Sequence, residues 1–314
     1  MTMTTPIFHI DHPSTEEAQD VMDLVALCDI EAIGEPDISL SDVLDLWQAV
    51  DIETDVFVAR SDDTKLVGYA FVEQTGANRL DSCVFVHPEF KGLGIGSSLL
   101  AQVEQRALQI TKDLPGPQRL MNQLPFTNLA ARELVESAGY TFSRLYERMK
   151  IELDALPELF ELPSRFTIQP FRPGMDAHTL FETYNETFKD SWGYAEKEEA
   201  TWLAQKTGEG FDPSLWFLVW DGTTAAGFLM GRLEEDGLFI DLLGVKREYR
   251  KHGIGKALLL RAFHEAYQRN ERTVILYVDS DSLTNANRLY RSVGMTPHSQ
   301  TAVYEKVVKY ASPN

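Results

Sequence analysis

Apolar and polar positions run through this chain in an order that occurs twice. In the second half, Phe166-Thr167-Ile168-Gln169-Pro170-Phe171 alternates as a strand does, and Pro173-Gly174 turns the chain. A helical pair is expected at 176–188 and 196–206. Next come a hairpin, Trp216–Trp220 and Ala226–Leu233, around the turn Asp221-Gly222, and a strand Leu238–Val245. A helix from Gly255 to Gln268 follows; its Leu259, Ala262, Phe263, Ala266 and Tyr267 fall at i, i+3, i+4, i+7 and i+8 and make one apolar face. Thr273–Val278, rich in branched residues, predicts a further strand, and a short helix and a last strand pair near Thr296–Val308 close the half. The first half keeps the order: a strand at Phe8–His9, acidic helices, strands at Val56–Ala59, Leu66–Val72 and Cys83–Val86, a long helix, a strand at Leu120–Met121, a short helix and closing strands.

Two landmarks turn this likeness into a duplication. Gly94 and Gly253 are 253 − 94 = 159 positions apart, and Gly139 and Gly294 are 294 − 139 = 155 apart. Similar offsets at independent positions imply a repeated domain with a small loop difference, at a period far too long for a solenoid. The seam is expected where Leu156-Pro157 and Leu162-Pro163 interrupt an acidic stretch, giving a domain at 1–155, a linker at 156–164 and a domain at 165–314.

Composition narrows the class. An apolar fraction of 44% with 25% charged residues is that of a globular protein, and no run approaches the roughly 18 apolar residues of a membrane span. The start, Met1-Thr2-Met3-Thr4-Thr5-Pro6, lacks the basic and apolar regions of a signal peptide. Cys28 and Cys83 lie in apolar-patterned stretches without metal-ligand spacing, so buried free thiols and a cytoplasmic location are expected. Acidic residues outnumber basic ones 48 to 29, a net charge of −19. That charge disfavours nucleic acid and anionic membranes as partners and favours the approach of a cationic amine.

The chemistry sits in two glycine loops, Lys91-Gly92-Leu93-Gly94-Ile95-Gly96 and Arg250-Lys251-His252-Gly253-Ile254-Gly255. Each follows a strand and opens a helix, where unpaired N–H groups attract an anion and glycine lets phosphate oxygens approach the backbone. Neither ends in the Lys-Ser/Thr of a P-loop, and neither is followed by the acidic residue of a dinucleotide fold. The copies differ four residues before their later glycines, which are Gly139 and Gly294. The second copy has Tyr290 there and the first has Val135.

The second loop resembles the GNAT superfamily of N-acetyltransferases, whose signature is Arg/Gln-x-x-Gly-x-Gly/Ala. The first departs only in carrying Lys91 at the Arg/Gln position. Leu243-Gly244-Val245-Lys246-Arg247-Glu248-Tyr249 before the second loop, and Ala286-Asn287-Arg288-Leu289-Tyr290 with Gly294-Met295 after it, also look like that family. The tandem arrangement is similar to that of bacterial mycothiol synthases, in which the C-terminal domain is catalytic.

The resemblance implies an α+β fold, a mostly antiparallel sheet flanked by helices, present as two tandem GNAT domains. It implies acetyl-CoA as co-substrate, cradled by Arg250, Lys251, His252, Gly253, Ile254, Gly255 and Lys256, with the thioester against Leu243 and Val245. A second cradle is implied at Val86, Lys91, Gly92, Leu93, Gly94, Ile95 and Gly96. The acceptor amine attacks directly, Tyr290 stands where the family places the acid that protonates the departing thiolate, and Asp241 is the candidate base, with Glu234 and Glu235 as fallbacks. The first copy has Ser82 at the position of Asp241. Trp192 and Tyr194 are candidates for the wall of an acceptor pocket, with Trp216 a third. The histidines show no ligand spacing, and no metal is expected. The expected protein is an N-acetyltransferase for a small amine, working as a monomer or homodimer through its C-terminal domain. The alternatives are an acyl-CoA-binding sensor or interaction module without catalysis, and a first half that is a second active site using water in place of Tyr.

Overall fold

The computed structural model describes residues 8–189, 191–192, 194, 196–208, 210–234, 237–280 and 286–309. In chain order the elements are β1 (Phe8–Asp11), α1 (Ala18–Ile33), α2 (Leu40–Ala49), β2 (Val56–Ser61), β3 (Leu66–Gly76), β4 (Arg79–Val86), α3 (Ile95–Thr111), β5 (Gln118–Pro125), α4 (Leu129–Ser137) and β6 (Thr141–Glu152). There follow β7 (Phe166–Pro170), α5 (Pro173–Phe188), α6 (Glu199–Lys206), β8 (Trp216–Asp221), β9 (Thr224–Glu234), β10 (Gly237–Val245), α7 (Ile254–Gln268), β11 (Thr273–Asp279), α8 (Ala286–Ser292) and β12 (Thr296–Lys309). The expected α+β order is present in both halves.

Two compact units form. The first takes the chain up to Tyr146 and again from Ser299; the second is Glu147–His298. The seam expected at 156–164 therefore lies inside the second unit. The cause is strand length. Each half was expected to close on a strand pair. Instead β6 and β12 are single long strands, with no Gly, Pro, Asn or Asp between Thr141 and Glu152 or between Thr301 and Lys309 to fold them back. Thr301–Lys309 of β12 pair antiparallel with β5, and the strands of the first unit run in the order β1-β2-β3-β4-β5-β12. The end of β6 lies beside β11, the strands of the second unit run in the order β6-β11-β10-β9-β8-β7, and Leu153 N donates to Arg272 O at 2.7 Å.

In the first unit, α3 lays Ile95, Leu99 and Val103 on Val67, Ala70 and Leu120, together with Ala302 and Tyr304 from β12. Val21, Leu24 and Val25 of α1 and Trp47 of α2 pack around Val58 and Tyr69. Trp47 Nε1 donates to the Tyr69 hydroxyl at 3.2 Å, so this buried indole keeps a partner. The second unit has one continuous core, in which Leu258, Leu259, Ala262 and Phe263 of α7, Leu180 of α5 and Trp202 of α6 join Phe217, Phe228, Leu229 and Ile240 of the sheet. Burial of each large apolar side chain of this kind contributes about 1.5–3 kcal/mol.

Candidate active site

Both loops reach their helices through a left-handed glycine. Gly94 and Gly253 are the N-caps of α3 and α7 with φ of 84° and 83°, a conformation a Cβ would strain. Two residues earlier Gly92 has φ 77°, whereas Lys251 holds φ 69° with a full side chain, so the second loop carries backbone strain that the first avoids. Arg250 Nε donates to Val245 O at 3.1 Å, tying the loop to the end of β10. His252 Nδ1 lies 3.2 Å from Tyr249 O, and its ring packs edge-on to Phe166.

The last glycine of each loop sets a helix–helix contact. A methyl built on Gly255 would meet Leu289 Cδ2 at 2.8 Å, and one on Gly96 would meet Leu134 Cδ2 at 3.2 Å. Gly255 thus lets α8 close on α7 and seats Tyr290, whose neighbour is Leu289.

The two copies differ where an extended ligand would enter. In the first unit the parallel ladder between β4 and β5 runs from Arg79–Arg119 to Cys83–Gln123. In the second, β10 and β11 pair only at Leu238–Val274 and Phe239–Ile275. By the 159-residue offset Cys83 corresponds to Leu242, so the second ladder stops three residues earlier. At that point β10 also bulges. Ile240 faces Gly231 and Leu242 faces Met230, which leaves Asp241 as the extra residue. The corresponding stretch of β4, Asp81 to Val86, pairs residue for residue with β3. From Ile240 to Val245, then, the backbone groups of β10 that face β11 are released from the ladder and stay beside the glycine loop.

Tyr290 is 8% exposed, and burial pushes its phenol up to about 12. Asp241 Oδ2 receives Lys206 Nζ at 2.6 Å, a partner from the end of α6 that pattern reading did not indicate. No hydrogen bond joins Asp241 to Tyr290 among the described residues. Leu243 and Val245 are partly buried against the core. The Tyr194 hydroxyl donates to Asn185 Oδ1 at 3.0 Å, and its ring lies 6.3 Å from Tyr184, which stacks on Trp202 at 4.8 Å. Trp192 is half-buried. Trp216 is a core residue, its Nε1 donating to Gly231 O at 3.0 Å. Of the fallback carboxylates, Glu234 pairs with Arg232 and Glu235 lies outside the described residues.

In the first copy the two exceptional positions are absorbed by packing. Val135 is buried, and Ser82 Oγ donates to Met121 O at 2.7 Å while accepting from Asn122 Nδ2 at 3.1 Å. A cavity of about 400 Å³ nevertheless lies along the first loop, lined by Val86, Lys91, Gly92, Gly94, Ile95, Gly96, Leu124 and Leu134 among others. Leu93 is exposed and does not line it. Asp29 and Glu31 of α1 line it too, and Glu31 pairs with Lys91, the basic residue of the loop. Cys28, also at this cavity, donates to Val86 O at 3.3 Å, and burial raises its thiol to about 12. Neither cysteine is in a disulfide. Among the described residues no group of three or more metal-ligating side chains is found, and no helix is long and apolar enough to cross a membrane.

A strand that leaves its parallel neighbour early, a glycine loop opening the next helix and a tyrosine on the helix beyond define an acyltransferase fold of the GNAT type. Residues 177–295 match the model of the acetyltransferase (GNAT) family, and residues 53–142 match that of an acetyltransferase (GNAT) domain. The chain belongs to the GNAT acetyltransferases and carries the domain twice. A mycothiol acetyltransferase of Kineococcus radiotolerans is 30% identical over 255 residues, 76% of this chain and 77% of the relative. One from Thermobispora bispora is 28% identical over 267 residues, 80% and 83% of the two chains. A crystal structure of an N-acetyltransferase from Sphaerobacter thermophilus superposes with a TM-score of 0.89 at 28% identity, covering 99% of each chain. The protein is an acetyltransferase similar to mycothiol acetyltransferases, and enzymes of this family use acetyl-CoA as co-substrate.

Proposed function

We propose that the second unit transfers acetyl from acetyl-CoA to the amine of a small acceptor, and that the first unit is a cradle without the catalytic pair. The observation that carries this is the early separation of β10 from β11, with its bulge at Asp241, in the copy that also holds Tyr290. The residues fit the co-substrate. Arg250 to Lys256 offer backbone donors to a pyrophosphate, and the released edge of β10 at Leu243 and Val245 offers an N–H to a thioester oxygen.

Asp241 takes a proton from the acceptor ammonium, directly or through water, once that ammonium replaces Lys206. The amine then attacks the thioester carbon, forming the C–N bond while the released backbone N–H stabilises the oxyanion. Collapse breaks the C–S bond, Tyr290 donates its proton to the leaving thiolate, and the surplus proton on the new amide nitrogen passes, directly or through water, to the tyrosinate and restores the phenol. A phenol at about 12 is poorly matched to a thiol in water at about 8.5. It is well matched to a thiol in a dry site. Burial pushes this chain's own Cys28 and Cys83 thiols up to about 12, and the same desolvation acts on a thiolate released beside Tyr290.

Trp192 and Tyr194, together with Tyr184, form the acceptor wall in this reading. The first cradle, from Val86 and Lys91 to Gly96, holds CoA without turnover. The test is an amine panel with the full chain, reading the release of free CoA thiol, in which the acceptor class of the mycothiol acetyltransferases is the first arm. Tyr290→Phe is expected to lower turnover about a hundredfold or more while acetyl-CoA still binds. Unchanged turnover removes Tyr290 from the acid role.

A further inference from the structure

The segment between β6 and β7 lies on the second glycine loop. A methyl built on Gly253 would meet Phe160 Cε1 at 2.6 Å, whereas one built on Gly94 meets nothing within 4 Å. Lys256 Nζ sits 5.1 Å from the centroid of the Phe160 ring. Further along, the Pro157 carbonyl accepts a hydrogen bond from His264 Nδ1 at 3.0 Å, while His264 Nε2 receives Gln268 Nε2 at 3.0 Å. Gly253, Lys256, His264 and Gln268 fall on one face of α7 and its cap, so the segment runs along that face and ends with its aromatic ring against the loop. Leu162 packs on the core and anchors the far end.

We propose that Leu156–Leu162 is an autoinhibitory strap that competes with the phosphates of CoA for the second loop. The proposal rests on reading residues 250–256 as the phosphate cradle. An anion bound at the first turn of α7 must approach Gly253 and Lys256, the two groups that Phe160 covers. The strap also has the charge of a phosphate mimic. Asp154, Glu158 and Glu161 belong to it or flank it, and the loop it crosses carries Arg250, Lys251, His252 and Lys256. Phe160 remains 37% exposed, and Leu156 and Leu159 are more exposed still, so lifting the strap uncovers little apolar surface. These are properties of an exchangeable cover. The first loop has no such cover over Gly94, so ligand reaches the two cradles on different terms.

Binding to a covered site is weakened by the fraction of molecules that are open. A strap closed in about 90% of molecules raises the apparent Kd about tenfold. The test follows amide hydrogen exchange in the full-length chain as CoA is added, comparing the peptide over 250–256 with the peptide over 154–164. The expected result is opposite signs: the loop is protected while the strap is deprotected. In Phe160→Ala the loop is expected to reach half-protection at about five- to tenfold lower CoA, and Glu158→Gln with Glu161→Gln shifts it the same way. A strap that stays unchanged or becomes protected while the loop is protected overturns the proposal, as does weaker binding in Phe160→Ala, which makes Phe160 a wall of the ligand site. If CoA protects 250–256 in neither wild type nor Phe160→Ala, the cradle reading itself fails and the strap falls with it.

Discussion

Lys206 Nζ lies 2.6 Å from Asp241 Oδ2, joining the end of α6 to the bulge of β10, and both side chains remain partly exposed at 26% and 22%. The pair gives Asp241 a counter-charge that an arriving ammonium can replace. Asp241→Asn is therefore expected to lower kcat/KM about a hundredfold, the loss of a general base. Lys206→Met removes a competitor and is expected to raise kcat/KM about two- to fivefold for cationic acceptors, the range of a solvent-accessible ion pair. Steady-state kinetics at fixed acetyl-CoA checks both. Equal losses in the two variants would mean the pair is structural.

Tyr290 makes a stability prediction with a defined sign. Its phenol is raised by burial from about 10 to about 12, so the folded state prefers the neutral form. That preference contributes fully below pH 10 and is lost as pH rises from about 10 through 12, by about 2–3 kcal/mol. Tyr69 and Tyr140 are raised by burial as well, so the contribution must be isolated as a difference. Denaturant unfolding of wild type and Tyr290→Phe across pH 8–12 is expected to show the variant losing less stability on the alkaline side. Activity below pH 10 is expected to show no alkaline fall belonging to this phenol.

Periodicity exposed the order of strands and helices, and the glycine motifs with their offsets exposed the doubled loop and the correspondence of Tyr290 with Val135, because each rests on short local patterns. What it missed depends on partners far apart. Two copies of one pattern offer β5 two similar closing strands, and local alternation cannot say that β12 rather than β6 takes the place. The bulge at Asp241 is invisible because the alternation of Leu238, Ile240 and Leu242 continues through it, and only the facing strand shows the extra residue. Lys206 falls at the end of the helix expected at 196–206, and Phe160 falls within the linker expected at 156–164. Each acquires its meaning from a contact 35 or more positions away.

In the first loop the basic residue is already engaged. Lys91 pairs with Glu31 across 60 positions, and Asp29 lines the same cavity, so acidic α1 opposes an incoming phosphate. Glu31→Gln is expected to tighten CoA at the first cradle about two- to fivefold, since the pair is solvent-accessible, and to steepen its salt dependence. Exchange protection of residues 91–96 as CoA is added reports this site separately from the second. An unchanged midpoint would show that Lys91 does not reach the phosphates.

The strand exchange makes the last prediction. Tyr304 belongs to the second copy in sequence, yet it is 1% exposed in the core of the first unit. Its hydroxyl donates to Glu136 Oε1 at 2.8 Å and accepts from Arg132 Nε at 3.1 Å, and its ring meets Phe142 edge-on at 5.7 Å. Tyr304→Ala removes this buried ring and both bonds, a change expected to cost about 3–5 kcal/mol. The cost falls on the first unit, because β12 pairs with β5 there and its side chains face α3 and α4. Hydrogen exchange is expected to lose protection in β5, α3 and α4, while β10 and α7 keep theirs. Two contiguous domains predict the reverse, with protection lost around 237–268 and the first 140 residues unaffected.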